Sequence, residues 1–253
     1  MRKAPGYFLC FVLVSLFISF QQGCFYERRD PKTAVCQFSS MDALEAGQYG
    51  GWVEYRAIAK KGDFGIGTVD RLDGEMIALD GRFYRIASDG RVNLISPSTL
   101  SPFATVTFFR TDMEFAAADI GDYAALTAYL DRLLTDKEAL YAIRVDGSFD
   151  SLKTRSVPAQ DKPFPALQEA LKKQTFFLFK EINGSMIGFR FPDSCRGVNK
   201  PGYHFHFISS DRSSGGHVLE LSLRRGRVLV SRIYALEFEL PGTQYLIKPQ
   251  NAA

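Results

Sequence analysis

The sequence predicts an α+β fold dominated by strands, with two antiparallel or mixed β-sheets and a few short helices. Three observations carry this expectation. Asp-Gly, Asn-Gly and Arg-Gly steps recur between β-rich runs, the mark of tight turns joining strands. Helical spacing of apolar residues is confined to short segments. The 253 residues are 46% apolar and 23% charged, the balance of a globular chain long enough for one large domain or two small ones.

The N-terminus stands apart. Arg2 and Lys3 precede YFLCFVLVSLFISF (7–20), an uncharged apolar run. A membrane span needs about 20 such residues, so a basic start with a shorter apolar core reads as a secretory signal over 1–23. The mature protein is then exported, periplasmic or extracellular. Gly23-Cys24 resembles a bacterial lipoprotein cleavage site, which makes Cys24 a candidate lipid anchor. The net charge of +3 drops to +1 without Arg2 and Lys3, and no basic block is present. Nucleic acid is therefore not an expected partner. None of the four cysteines forms a CxxC pair, so a zinc knuckle or thioredoxin motif is unsupported. Cys36 and Cys195 are left either to pair or to stay as free thiols.

Residues 24–50 read as a linker ending in a short helix, SSMDALEAG (39–47), with a serine cap and a glycine stop. Residues 51–140 form an expected N-terminal β-rich subdomain, and 141–253 a C-terminal β-rich metal-binding one. From Trp52 to Ile95, strands are cut by turns at KKGD, RLDGE, LDGRF and SDGR. FATVTFFR (103–110) is a further strand. Tyr123, Leu126, Leu130 and Leu133 fall at helical spacing within 119–134, with Asp119 as the expected cap. Strand character returns over 139–157 around Asp146-Gly147, and a second helix is expected within 163–174. Residues 175–192 read as a hairpin around Asn183-Gly184, and 217–241 as strands turning at Arg225-Gly226.

The three histidines of the chain are His204, His206 and His217. In a strand, residues i and i+2 point to one side. SSDRSSGG (209–216) has turn composition, so a hairpin centred near Asp211-Arg212 sets 206 opposite 217. That register gathers three imidazoles on one face and turns Phe205 and Phe207 to the other. Adjacent buried imidazoles repel when protonated, and a metal removes the difficulty. Neutral imidazole suits Zn²⁺ and other borderline divalent ions. Three histidines without cysteine are the donor set of an open, catalytic site rather than a closed structural one.

The stretch PGYHFHFISSDRSSGGHVLE (201–220) resembles the metal-binding segment of the α-acetolactate decarboxylase family. FGIGTVDRLDGEMIALDGRFY (64–84) and SLKTRSVPAQDKPFPAL (151–167) agree with that family in the same order, and the resemblance runs from Trp52 to Pro241. It implies zinc binding by His204, His206 and His217. It also implies active-site roles for Glu75 in LDGE, Thr68 in GIGT and Arg155 in RSV. The implied activity is decarboxylation of 2-acetolactate to acetoin, in a homodimer. The family further offers a glutamate from a C-terminal tail, whereas here no acidic side chain follows Glu239.

Read without the resemblance, Glu75 is a solvated turn residue and Thr68 an ordinary strand residue. Arg155 is then no better placed than Arg144 in YAIRVDG. GIGTVDRLDG lacks the strand-to-helix setting of a dinucleotide site. The rival readings of the histidine cluster are a three-histidine zinc hydrolase and a secreted, non-catalytic metal-binding β-domain.

Overall fold

The computed structural model describes Met1 and residues 34–242. The signal reading of 1–23 and the Cys24 anchor lie outside the described residues. In chain order the elements are β1 (Ala34–Phe38), α1 (Met41–Glu45), β2 (Val53–Glu54), α2 (Tyr55–Ile58), β3 (Phe64–Thr68), β4 (Glu75–Leu79), β5 (Arg82–Ile86), β6 (Val92–Leu94), β7 (Leu100–Ser101), β8 (Phe103–Thr107), β9 (Met113–Ile120), α3 (Tyr123–Leu133), β10 (Leu140–Ser156), α4 (Leu167–Leu171), β11 (Thr175–Phe191), β12 (Gly202–Ser209), β13 (Gly215–Ile233) and β14 (Ala235–Glu239). The architecture is the strand-dominated α+β fold that the sequence predicts.

A seven-stranded sheet runs β14-β1-β8-β3-β4-β5-β6, in which β1 and β14 are parallel and the other pairs antiparallel. A five-stranded antiparallel sheet runs β10-β11-β12-β13-β9, and β10 pairs with β13 as well, so β10 to β13 close on themselves. Each sheet draws strands from both sides of residue 140: β9 joins the second and β14 the first.

The two sheets pack through Phe64, Ile66, Ile77 and Ile86 of the first and Ile187, Phe189 and Ile208 of the second. On the far side of the second sheet, α3 buries Leu126 and Leu130 against Phe205 and Phe207. The period-2 alternation of β12 therefore sends its phenylalanines under α3. It leaves His204 and His206 on the face of Ile208, toward the first sheet.

Several local expectations change. Residues 34–38, expected as linker, form an interior strand. Val35 packs into the inter-sheet core while Cys36 and Phe38 pack on the opposite side. A strand covered on both faces shows no polar alternation, so it was not visible as one. Tyr55–Ile58 makes a single helical turn amid the expected strands. Asp122, not Asp119, caps α3, its Oδ1 accepting from the Ala125 N–H at 2.7 Å. Asp119 is still in β9, at φ 54°. Cys36 and Cys195 are unbonded and contact different cores.

The expected turns at Asp146-Gly147, Asn183-Gly184 and Arg225-Gly226 are absent, and β10, β11 and β13 run straight through them. The three glycines form one transverse row, Gly184 opposite Gly147 and Gly147 opposite Gly226. A Cβ on Gly184 would lie 2.4 Å from the Ile208 carbonyl oxygen and 2.5 Å from the Phe207 ring. On Gly147 it would lie 2.5 Å from the Arg225 carbonyl oxygen. The glycines thus mark close approach of neighbouring chains within long strands, next to a register shift at Ser148/Phe149, rather than reversals of direction. Gly184→Ala is expected to cost about 2–3 kcal/mol through overpacking. That lowers the Tm by roughly 5–10 °C for a chain of this size. Gly121→Ala, where a Cβ meets nothing within 4 Å, is the control, and thermal unfolding by circular dichroism compares them.

Candidate active site

The site is built from two rows of residues, one on each sheet. In the second sheet, His206 on β12 is directly opposite His217 on β13, and His217 is directly opposite Arg155 on β10. Lateral neighbours in a sheet point to one side. The register therefore lines up His206, His217 and Arg155 across three strands, with His204 two residues from His206. The return strand enters through Gly215-Gly216. Gly216 sits at φ 135°, and a Cβ there would lie 2.6 Å from the Arg155 carbonyl oxygen, so only glycine lets His217 meet both neighbours.

The facing row belongs to the first sheet, where Thr68 ends β3 opposite Glu75 at the start of β4. Glu75 is buried rather than a solvated turn residue. Its Oε1 accepts from the Arg155 guanidinium at 2.8 Å, and its Oε2 lies 3.3 Å from His206 Nε2. The turn before it is tightly held. Arg71 and Leu72 have positive φ, Gly74 has φ 90°, and a Cβ on Gly74 would lie 2.4 Å from the Ile86 carbonyl oxygen. The Thr68 hydroxyl donates to the Gly74 carbonyl at 2.7 Å, tying that turn to β3. Thr68 thus acts on the position of Glu75 through the backbone.

The three imidazole rings lie 4.7–5.3 Å apart between centroids. One nitrogen from each falls within 4.8 Å of the others. His206 Nδ1 is 2.9 Å from the Met76 carbonyl oxygen. A carbonyl only accepts, so Nδ1 carries the proton and Nε2 presents a lone pair. That Nε2 is buried without a hydrogen bond, since its approach to Glu75 lacks the alignment of one. His204 Nε2 and His217 Nδ1 are 3.0 Å apart.

Burial holds all three imidazoles neutral, and the Arg155 charge adds to it. For His204 and His217 the pKa is pushed well below the usual value, first by burial and then by neighbouring imidazoles, Arg155 and Lys200. His206 is lowered by burial, partly offset by Glu75 and the Met76 carbonyl. Three neutral imidazoles, one with an orphaned lone pair, are a donor set compatible with a divalent metal. An orphaned buried acceptor is otherwise costly.

These groups share one cavity of about 620 Å³. Its polar end holds Thr68, Glu75, Arg155 and the three histidines; its apolar wall is made by Met41 and Leu44 of α1, Leu72, Phe103, Val157, and Leu167 and Leu171 of α4. All six site residues expected from the sequence meet here. Arg144 does not. Its guanidinium is bound by Asp146 at 2.8 Å and Asp80 at 2.8 Å. Glu239 is on β14, 3.4 Å from Lys61, and is not part of the cavity wall. Sequence reasoning did not point to Lys200, Tyr123 or Tyr203, which also line the cavity. Tyr123 reads in the sequence only as part of a helical stripe, Tyr203 lies in the histidine segment off the histidine face of its strand, and Lys200 flanks that segment without belonging to it.

A family model described as alpha-acetolactate decarboxylase matches residues 35–248. A Methanosarcina mazei protein named alpha-acetolactate decarboxylase is 42% identical over 211 residues, covering 83% of this chain and 73% of the relative. A protein of the same name from Methylococcus capsulatus is 42% identical over 207 residues, covering 82% of this chain and 80% of its own. The crystal structure of alpha-acetolactate decarboxylase from Bacillus subtilis superposes with a TM-score of 0.83 at 37% identity, over 87% of this chain and 94% of that one.

The Glu75–Arg155 pair is inaccessible enough for a double-mutant cycle to detect, with side chains 10% and 14% exposed. Arg155→Met alone is expected to cost about 3–5 kcal/mol, because it strands a buried carboxylate. Adding Glu75→Gln removes that carboxylate and should recover a measurable part. Urea unfolding midpoints decide this, and strictly additive losses would contradict the pairing.

Proposed function

The chain belongs to the alpha-acetolactate decarboxylase family and is a carboxy-lyase acting on acetolactate, and from that premise we propose how its own residues perform the reaction and that it is metal-dependent. The observation that carries this reading is the placement of the Glu75–Arg155 pair against three neutral histidines at the polar end of one cavity.

In the proposed reaction the bond between the carboxylate carbon and the hydroxyl-bearing carbon breaks. The carboxylate leaves as CO2, and the bonding electron pair passes to the adjacent ketone, giving an enediolate. Addition of one proton to the carbon that lost CO2 yields acetoin. His204, His206 and His217 would hold a divalent transition metal, with zinc the first choice for this donor set. When bound there, the metal supplies a Lewis acid for the negative charge that develops on substrate oxygens.

Arg155 gives one N–H to Glu75 and keeps others for a substrate oxygen, because a guanidinium has five donors in a fixed fork. Its charge is compensated by Glu75 at 2.8 Å. Glu75 is the group placed to relay the proton: its carboxylate, one oxygen held by Arg155 and the other facing the histidines, takes up a proton from solvent and passes it to the carbon that lost CO2. Thr68 keeps the turn that carries Glu75 in place, a positioning rather than a proton-transfer role. The buried walls exclude bulk water from the enediolate.

We propose export as well, with cleavage after residue 23 or near it, and a homodimer as the working form. Mass spectrometry of the mature N-terminus and light scattering test these, and an intact Met1 on protein retained inside the cell would refute export. No described helix is long and apolar enough to cross a membrane.

Incubating the purified protein with 2-acetolactate should yield acetoin, and a chelator should stop it. His206→Ala should lose bound metal in elemental analysis, and full occupancy would sink the ligand assignment. Arg155→Ala should lose roughly 10²–10³ in rate, the typical effect of one positioned electrostatic contact. Glu75→Gln should lose roughly 10²–10⁴ as a general acid. Both should keep their metal, while Arg144→Ala should turn over normally. A metal-free Glu75→Gln would make Glu75 chiefly a ligand.

A further inference from the structure

Resting on the decarboxylase reading above, we infer that the site has a second activity, on its own product: it exchanges the hydrogen on the hydroxyl-bearing carbon of acetoin with solvent, Glu75 being both the base that removes it and the acid that returns one. Paired with Arg155 at 2.8 Å, Glu75 rests as a carboxylate. Arg155 holds its Oε1, and Oε2 is the oxygen left toward the histidines in the cavity. Each decarboxylation consumes one proton, which comes from solvent and reaches the new C–H bond through this carboxyl group. The carboxylate left behind after that delivery is a base standing at the bond it has just helped to make, so the step runs in both directions at the same atoms.

With acetoin in the cavity, the C–H bond of the hydroxyl-bearing carbon breaks and its proton passes to Glu75 Oε2. The bonding pair forms a carbon–carbon double bond, and the π pair of the ketone moves to its oxygen. The result is the same enediolate that loss of CO2 leaves. With no CO2 to add back, this enediolate leaves by reprotonation, and a proton drawn from solvent replaces the one removed. No oxidant, reductant or co-reactant enters, and the starting and final acetoin differ only in isotope.

The fold seats an uncharged ligand beside that carboxylate. Phe103 on β8 is directly opposite Thr68, and Thr68 is directly opposite Glu75, so an aromatic ring shares a row and a face with the carboxylate. On β10's side of the cavity, Val157 follows Arg155 by two residues and is buried. Acetoin keeps the hydroxyl and ketone oxygens of acetolactate and both of its methyl groups, so the contacts made by these groups survive loss of the carboxylate. The exchange is also one-sided. Glu75 comes from the first sheet, while Arg155 and the histidines come from the second. The other carboxylate of the lining, Glu45, is exposed on α1. A flat enediolate held between the sheets therefore meets a buried carboxylate on one face.

Proton NMR of acetoin incubated with the purified enzyme in D2O tests this. The signal of the hydrogen on the hydroxyl-bearing carbon should fade, and the neighbouring methyl doublet should collapse to a singlet, faster than in buffer alone. The acetyl methyl should keep its intensity. Exchange should be confined to the enantiomer that the enzyme makes from acetolactate, with no racemisation on chiral chromatography. Glu75→Gln should lose roughly 10²–10⁴ in exchange rate. Arg155→Ala should lose roughly 10²–10³. Arg144→Ala should exchange at the wild-type rate.

A wild-type enzyme that makes acetoin from acetolactate but leaves this hydrogen in place overturns the inference. Equal exchange of both enantiomers also overturns it, as does undiminished exchange in Glu75→Gln. The enantiomer comparison needs wild-type protein alone, so it decides the matter even if Glu75→Gln does not fold. Glu75→Asp, whose carboxylate stands one methylene further back, should exchange slowly rather than not at all. Absence of any acetoin from acetolactate would instead defeat the decarboxylase reading itself, so the two failures are distinguishable.

Discussion

The lateral pairing of His206 with His217, and of His217 with Arg155, is the constraint from which the rest of the site follows. A one-residue slip in either pairing would turn the affected side chains to the opposite face. His206 would then enter the core under α3, and Phe205 or Phe207 would face the first sheet. The register is secured by that alternation, because two buried phenylalanines cannot exchange places with two imidazoles at tolerable cost. It is also secured by Gly216, whose missing side chain and positive φ let β13 lie against β10 and β12 at once. Once the row is set, the first sheet needs only to bring Glu75 and the Met76 carbonyl against it.

Those two contacts divide the labour between the sheets. The second sheet supplies the imidazoles and the guanidinium. The first supplies a carboxylate to pair the guanidinium, a carbonyl to orient His206, and a threonine to hold the turn. Arg155 and Glu75 answer each other across the sheets and His206 Nδ1 is answered by Met76, whereas His204 and His217 meet each other and the His206 Nε2 lone pair is left open. Burying an ion pair seldom stabilises a fold outright, so its retention here fits geometry more than stability. The conformations around Arg71, Leu72 and Gly74 point the same way, since strained backbone gathers where a side chain must be aimed.

How much of this was legible in the sequence depended on sequence distance. The histidine hairpin was readable because its two strands are adjacent in the chain and its turn is only a few residues long. Period-2 alternation and turn composition then fix the register locally. Arg155 was different. Its pairing with His217 joins residues 62 apart across a strand that carries its own register shifts, and composition could not separate it from Arg144. Only the family resemblance chose between them. Glu75 looked exposed for a related reason: an Asp-Gly turn is usually solvated, and nothing local shows that a second sheet covers it. The glycine row failed in the opposite sense. Asp146-Gly147, Asn183-Gly184 and Arg225-Gly226 carry hairpin chemistry, but in strands of 17 to 19 residues the same glycines serve close approach between chains. Strand length is a tertiary property, so the local signal could not decide between turn and contact.

The arrangement of charge also bears on how one cavity handles an anion that becomes neutral. With Arg155 committed to Glu75 and the imidazoles held uncharged, the protein groups of the polar end carry no net charge of their own. What the site offers instead are directed donors: the remaining N–H groups of Arg155 and whatever cation the histidines hold. In the proposed reaction these would act where charge develops, at the ketone oxygen, rather than where it starts, at the carboxylate. A site with a free guanidinium on the carboxylate would bind substrate more tightly and hold it back from losing CO2. On the proposed reading the Glu75–Arg155 pair does more than place a proton: it keeps a free guanidinium from holding the carboxylate in the ground state.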